Sequence, residues 1–226
     1  MKAFTIAIDG PSGAGKGTVA RAVAKRLGFR HVDSGAMYRA VGWKALHDGV
    51  AFDDEPAVAA IASAAELRVS DEAVTIDGAD VTRAIRTPEI DRAATAVARL
   101  PKVRAALVAR QRAHGEHGGI VMEGRDIGTV VFPHADVKVY LDASPDERAR
   151  RRAQDPAHSG GPVAVADVAT ALTARDELDR TRSVSPLYAA ADAVVVDTTG
   201  KTIEEVVAVV LRLVEERQAG WAGQAG

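Results

Sequence analysis

Residues 10–18 read Gly-Pro-Ser-Gly-Ala-Gly-Lys-Gly-Thr, and their types and spacing suit the binding of a polyphosphate. A loop built from Gly10, Pro11, Ser12, Gly13, Ala14, Gly15, Lys16, Gly17 and Thr18 can turn successive backbone N–H groups toward phosphate oxygens. Glycine permits the required backbone angles and the close approach. Lys16 would reach the β- and γ-phosphates, and Thr18 would bring a hydroxyl near Mg²⁺. The usual form of this loop, G-x-x-x-x-G-K-[ST], has its hydroxyl directly after the lysine. Here Gly17 takes that place and Thr18 follows it. The chemistry implied is capture of a nucleoside triphosphate.

Such a loop works only between a strand and a helix, because the helix adds its positive N-terminal end to the site. The flanking residues meet that requirement. Phe4–Ile8 is a short apolar run rich in β-branched residues and is broken at once by Asp9. From Thr18 to Leu27, Val19, Ala22, Val23 and Leu27 recur at helical spacing, and Gly28 stops the pattern. A second strand is expected over 29–32. A helix follows from Ser34, read as its cap, to Gly49. Residues 119–122, 137–141 and 193–197 read as further buried strands. Helical patterns cover 88–99, 102–113 and 202–217, the last with Ile203, Val206, Val207, Val210 and Val214 on one face. Five strands separated by helices predict an α/β fold with a doubly wound, parallel five-stranded sheet. The stretch 67–82 differs: short β-prone runs alternate with Ser-Asp-Glu and Asp-Gly turns, which predicts a small antiparallel sheet inserted into that pattern. The whole reads as a single domain, with an inserted region at about 62–95 and a disordered tail over 219–226.

The chain has 226 residues and carries 29 basic against 31 acidic side chains, a net charge of -2. That balance gives no general reason to expect a nucleic acid or an anionic membrane as partner. With no cysteine, disulfides, thiolate nucleophiles and cysteine-held metals are excluded. The first apolar run is too short for a secretory segment, and no uncharged apolar stretch would span a bilayer. A cytoplasmic, monomeric protein is expected. His114 and His117 lie in a glycine-rich turn with no third ligand in view, and read as solvated.

Three further segments, 33–39 (DSGAMYR), 124–133 (GRDIGTVVFP) and 175–187 (RDELDRTRSVSPL), together with the glycine loop resemble the bacterial cytidylate kinases, nucleoside monophosphate kinases with a phosphate loop. The resemblance runs from about residue 4 to 215 and includes 67–82, which is similar to that family's enlarged monophosphate-binding region. Loops ending Gly-Lys-Gly-Thr resemble those of nucleoside monophosphate kinases. The resemblance implies transfer of a phosphoryl group from ATP to CMP or dCMP, with Mg²⁺ accompanying ATP. It places Arg39, Arg125 and Arg182 at the phosphate of the monophosphate, and Thr95, Arg104 and Asp126 at the base. Arg175 and Asp179 go to the ribose, and Ser34 and Tyr38 to the same nucleotide. Lys16, Arg125 and Arg182 are the residues it implies for the transfer step. Acceptors at Thr95 and Asp126 would suit the amino group of cytosine, and Arg104 can donate to the ring. Residues 146–165 resemble a mobile lid, whose Arg148, Arg151 and Arg152 could face the γ-phosphate.

Other readings make different demands. A regulatory GTPase wants an Asn-Lys-x-Asp motif, and this chain has no asparagine. A nucleotide-sensing module without turnover, or a kinase for another small acceptor such as a different monophosphate or shikimate, would keep the loop. The second of these has no use for Thr95, Arg104 and Asp126 around a pyrimidine.

Overall fold

The computed structural model describes residues 4–155 and 165–222. Its centre is a five-stranded parallel sheet made of β1 (Thr5–Asp9), β2 (Arg30–Asp33), β6 (Ile120–Gly124), β7 (Val137–Asp142) and β8 (Val194–Asp197). They lie in the order β2-β6-β1-β7-β8. The order reverses around β1, so a crevice opens at the carboxyl ends of the central strands, where ligands bind in open sheets of this type. Register brings Asp9 beside Gly124 and Tyr140, and Asp33 beside Glu123. Three acids therefore lie at or next to the ends of neighbouring strands, at the edge where the phosphate loop begins.

Helix α1 (Lys16–Leu27) starts directly from that loop, and Gly28 ends it at φ 66. Val19, Ala20 and Val23 of α1 pack with Ile6, Ile8, Val139 and Leu141 of the sheet and with Val206, Val207, Val210 and Val214 of the last helix. On the opposite face, Val32, Met122 and Ala7 meet Val108, Ile127 and Val131. Helix α2 (Ser34–His47) is capped by Asp33, whose side chain accepts from the Ala36 N–H at 3.0 Å. This corrects the expectation that Ser34 is the cap: the Ser34 hydroxyl instead donates to the Glu123 carbonyl at 2.6 Å. Helix α3 (Glu55–Ala64), capped by Asp54, was not anticipated.

The inserted sheet consists of β3 (Leu67–Val69), β4 (Val74–Ile76) and β5 (Ala79–Asp80), paired antiparallel. Helices α4 (Pro88–Val97) and α5 (Pro101–Gly115) follow, close to their predicted limits. After β6 the chain makes a short π-helical turn over Ile127–Val131. Helix α6 (Pro145–Ala153) and helix α7 (Val165–Thr181) flank 156–164, so the middle of the predicted lid lies outside the described residues. Helix α8 (Ile203–Ala222) continues past the point where a tail was expected to begin, while 223–226 lie outside the described residues. Among the described residues, no helix is long and apolar enough to cross a membrane.

Candidate active site

The phosphate loop is shaped by its glycines. Gly10 has φ 146, and a Cβ there would sit 2.0 Å from the Leu141 carbonyl oxygen, so no side chain fits. Lys16 is buried, and its Nζ donates to the Pro11 carbonyl at 2.7 Å. Burial, helped by the nearby Arg125 guanidinium, pushes the ammonium down to about 7 against the pull of Glu123 and Asp9. Asp9 accepts the N–H groups of Ile127 at 2.8 Å and Gly128 at 2.7 Å, fastening the π-helical turn to β1. Burial outweighs those bonds and pushes its carboxyl up to about 6.

Gly17 has a specific neighbour. A Cβ on it would lie 2.8 Å from Glu123 Oε1. The Glu123 carboxylate thus fills the space beside the position that holds a hydroxyl residue in the usual loop, and Thr18 supplies a hydroxyl one residue further on. His31 backs Glu123: its Nε2 lies 3.4 Å from Glu123 Oε1, and its Nδ1 lies 2.5 Å from Asp71 Oδ1 in the β3–β4 turn. Burial lowers the imidazole, but the two carboxylates outweigh it and its pKa is raised.

A cavity of about 1100 Å³ runs from this loop to α4 and α5. Its lining includes ten arginines and two lysines against five carboxylates, a strong positive excess in a chain of net charge -2. At the far end, Arg104 and Asp126 form a buried ion pair, and Arg104 donates to the Ala98 carbonyl at 3.2 Å. The Arg104 guanidinium lies 5.4 Å from the centre of the Tyr38 ring, and burial pushes the Tyr38 hydroxyl up to about 12. Thr95 donates its hydroxyl to the Asp91 carbonyl at 2.9 Å. Between the two ends, Asp179 accepts from Arg125 Nε at 3.0 Å and faces Arg182 Nη1 at 3.5 Å. Burial opposes ionisation of Asp179, but Arg125, Arg175 and Arg182 hold it below the usual carboxylate range. Arg175 Nε and Arg182 Nη2 are buried without a hydrogen-bond partner among the described residues. Buried donors of this kind want an acceptor, and a phosphate offers several.

A family model described as cytidylate kinase matches residues 6–216. The chain belongs to the cytidylate kinase family. Among relatives, a cytidylate kinase of Desulfitobacterium hafniense (strain Y51) is 48% identical, over 96% of this chain and 94% of that protein. A cytidylate kinase of Solibacter usitatus (strain Ellin6076) is 47% identical, over 96% and 94% respectively. Among solved structures, a gluconokinase of Sinorhizobium meliloti 1021 covers 97% of each chain with a TM-score of 0.51 at 14% identity, a likeness of fold alone.

In this member of the cytidylate kinase family, Ser12 through Thr18 line the cavity together with Ser34, Tyr38, Arg39, Thr95, Arg104, Arg125, Asp126, Arg175, Asp179 and Arg182. Gly10 and Pro11 lie behind the loop and shape it. One expectation changes. Arg148 does not face the phosphates: it is buried, paired with Asp176, and donates to the Ala143 carbonyl at 3.1 Å and the Ser12 carbonyl at 3.2 Å. It braces the back of the loop, whereas Arg151 and Arg152 line the cavity. Arg175 and Asp179, one turn apart on α7, bond to different partners, Arg175 facing Asp91 at 3.3 Å. Sequence reasoning passed over Glu123, although an acid closing an otherwise apolar buried strand was the available signal. It also missed Asp91, which had no local signal.

Proposed function

We infer that the chain transfers the terminal phosphoryl group of ATP to CMP or dCMP, giving ADP and CDP or dCDP. One observation carries this reading: a single cavity has the phosphate loop at one end, the Thr95, Arg104 and Asp126 group at the other, and arginines between them. Two polyanions must meet there end to end, and their repulsion has to be neutralised.

The loop N–H groups and the N-terminal end of α1 hold the β- and γ-phosphates of ATP. Lys16, which shares its burial with the Arg125 charge, gains a partner when a phosphate arrives and recovers its full charge. At the other end, the Asp126 carboxylate accepts from the cytosine amino group, and Arg104 donates to the ring acceptors. Because the Thr95 hydroxyl proton is spent on the Asp91 carbonyl, its oxygen offers only lone pairs, which again suits an amino group. Arg39, Arg125 and Arg182 hold the acceptor phosphate, while Arg175 and Asp179 border the ribose. A phosphate oxygen of CMP attacks the γ-phosphorus as the bond to the bridging oxygen breaks, and that electron pair leaves with ADP. The nucleophile is already an anion, so no general base is needed, and positioning and electrostatics carry the step.

Glu123 and Thr18 supply hard oxygen donors beside the loop and fit a divalent cation such as Mg²⁺. When bound, the cation would neutralise phosphate charge. We place the protein in the cytoplasm as a monomer.

A coupled assay of ADP formation with a panel of monophosphates and shikimate tests the reading. CMP and dCMP should be the preferred acceptors. Faster turnover with another acceptor would overturn the assignment of the base site, and nucleotide binding without ADP formation would make the protein a sensor.

A further inference from the structure

Three of the cavity arginines share one anchor. Asp91, in the first turn of α4, receives the Nε of Arg39 at 3.1 Å and faces Arg175 Nη1 at 3.3 Å, both on Oδ1. Its Oδ2 is bonded to Arg152 Nη2. The arginines come from three different helices, α2, α6 and α7. All three line the cavity, and the carboxylate that gathers them does not. Asp91 thus joins guanidinium groups of the cavity wall that different helices supply.

The chemistry of arginine makes this arrangement useful. A guanidinium has five donors in a rigid planar fork, so a bond along one edge fixes the plane and leaves other N–H groups to bind elsewhere. Left alone, three such cations would repel one another and turn outward to water. Burial, together with the neighbouring Arg125 charge, already holds Arg175 at about 10. A shared carboxylate offsets that repulsion and aims the three forks in common.

We propose that Asp91 is a positioning residue for phosphoryl transfer, holding Arg39, Arg152 and Arg175 in one cluster so that a free N–H edge of Arg39 meets the phosphate of the acceptor nucleotide with the charges of Arg152 and Arg175 held beside it. The proposal rests on the acceptor being a nucleoside monophosphate. It also ties the inserted region, through α4, to α6 and α7, which supply Arg152 and Arg175 to the cavity lining. Binding of the acceptor phosphate then completes a cluster that is already assembled.

The test compares a ligand that carries the phosphate with one that lacks it. Dissociation constants for CMP and for cytidine are measured by calorimetry on the full chain, with ATP turnover alongside. In Asp91→Asn the CMP constant should rise about tenfold and kcat should fall, while the cytidine constant stays within about twofold. Loss shared equally by CMP and cytidine would mean that Asp91 only supports the fold, and unchanged CMP affinity would mean that the arginines do not depend on it. Either result overturns the proposal. Asp91→Glu keeps the charge and moves it by one methylene, so it carries the same comparison if the Asn variant does not fold. It should lose about threefold for CMP alone, and no loss, or one shared with cytidine, is equally fatal. Wild-type protein that binds CMP but makes no ADP would refute the kinase reading without touching the contrast between CMP and cytidine.

Discussion

The discrimination of cytosine from uracil by Asp126 gives the most demanding prediction, and the structure dictates how to make it. Asp126→Ala would leave Arg104 as a buried cation without its carboxylate, because their side chains are only 3% and 6% exposed. Breaking such a pair costs about 3–5 kcal/mol, enough to confuse loss of recognition with loss of fold. Asp126→Asn keeps the shape, and its amide oxygen can still accept from Arg104, which the Ala98 carbonyl also holds. What is lost is the bond from the cytosine amino group to a charged acceptor, worth about 1.5–3 kcal/mol. kcat/KM for CMP should therefore fall by about 10- to 150-fold. UMP presents a carbonyl at that place, which a carboxylate repels but the Asn amide N–H can meet, so its kcat/KM should hold or rise. The ratio of the two substrates should narrow by at least about tenfold, equivalent to about 1.4 kcal/mol. Initial rates of ADP formation with CMP and UMP, on protein whose thermal midpoint has been checked, give both numbers. If both substrates lose activity by one factor, Asp126 does not read the base, and its role is confined to fixing Arg104.

Lys16 sits at about 7 before ligand arrives; a polyphosphate favours its charged form, so at pH 8 ATP binding should take up close to one proton. ATP affinity should accordingly weaken as pH rises through 7, which calorimetry in buffers of different ionisation enthalpy will reveal, and Lys16→Ala should remove the uptake while lowering kcat by about 10²-fold or more. Gly17→Ser restores the usual loop pattern but drives a Cβ to 2.8 Å from Glu123 Oε1; kcat should fall rather than rise, and an unchanged rate would show that Glu123 yields freely. Arg148→Ala should behave as a structural lesion of about 3–5 kcal/mol, seen in denaturant melts, because it strands the buried Asp176 carboxylate.

What the sequence made legible was whatever depends on near neighbours. The five parallel strands, the inserted antiparallel sheet and most helices follow from alternation, helical period and turn residues. Helix α3 escaped because its Ala-Val-Ala-Ala-Ile-Ala run carries too little contrast between faces for a period to emerge. The π-helical turn escaped for another reason. Its first N–H groups are held by Asp9, more than a hundred residues away, and no local pattern encodes such a bond. The same division applies to the site. Motif residues such as Arg125 and Arg182 were legible together with their surroundings. Arg148 looked identical to Arg151 and Arg152 within one arginine-rich helix, and only the packing of α6 on the loop decides that it turns inward. Asp91 draws its meaning from residues 39, 152 and 175, so it was silent until the chain folded.

The cavity's charge also bears on how its ligands arrive. Setting aside its ten arginines, two lysines and five carboxylates leaves 17 basic and 26 acidic residues on the rest of the chain. A nucleotide approaching at random therefore meets a chain whose charge outside the mouth is net negative, while the mouth itself is positive. Such a field does not tighten binding so much as route encounters, raising the productive fraction of collisions and turning away polyanions too large to enter. Association should then be fastest in dilute buffer and slow as added salt shortens the reach of the field below the width of the mouth.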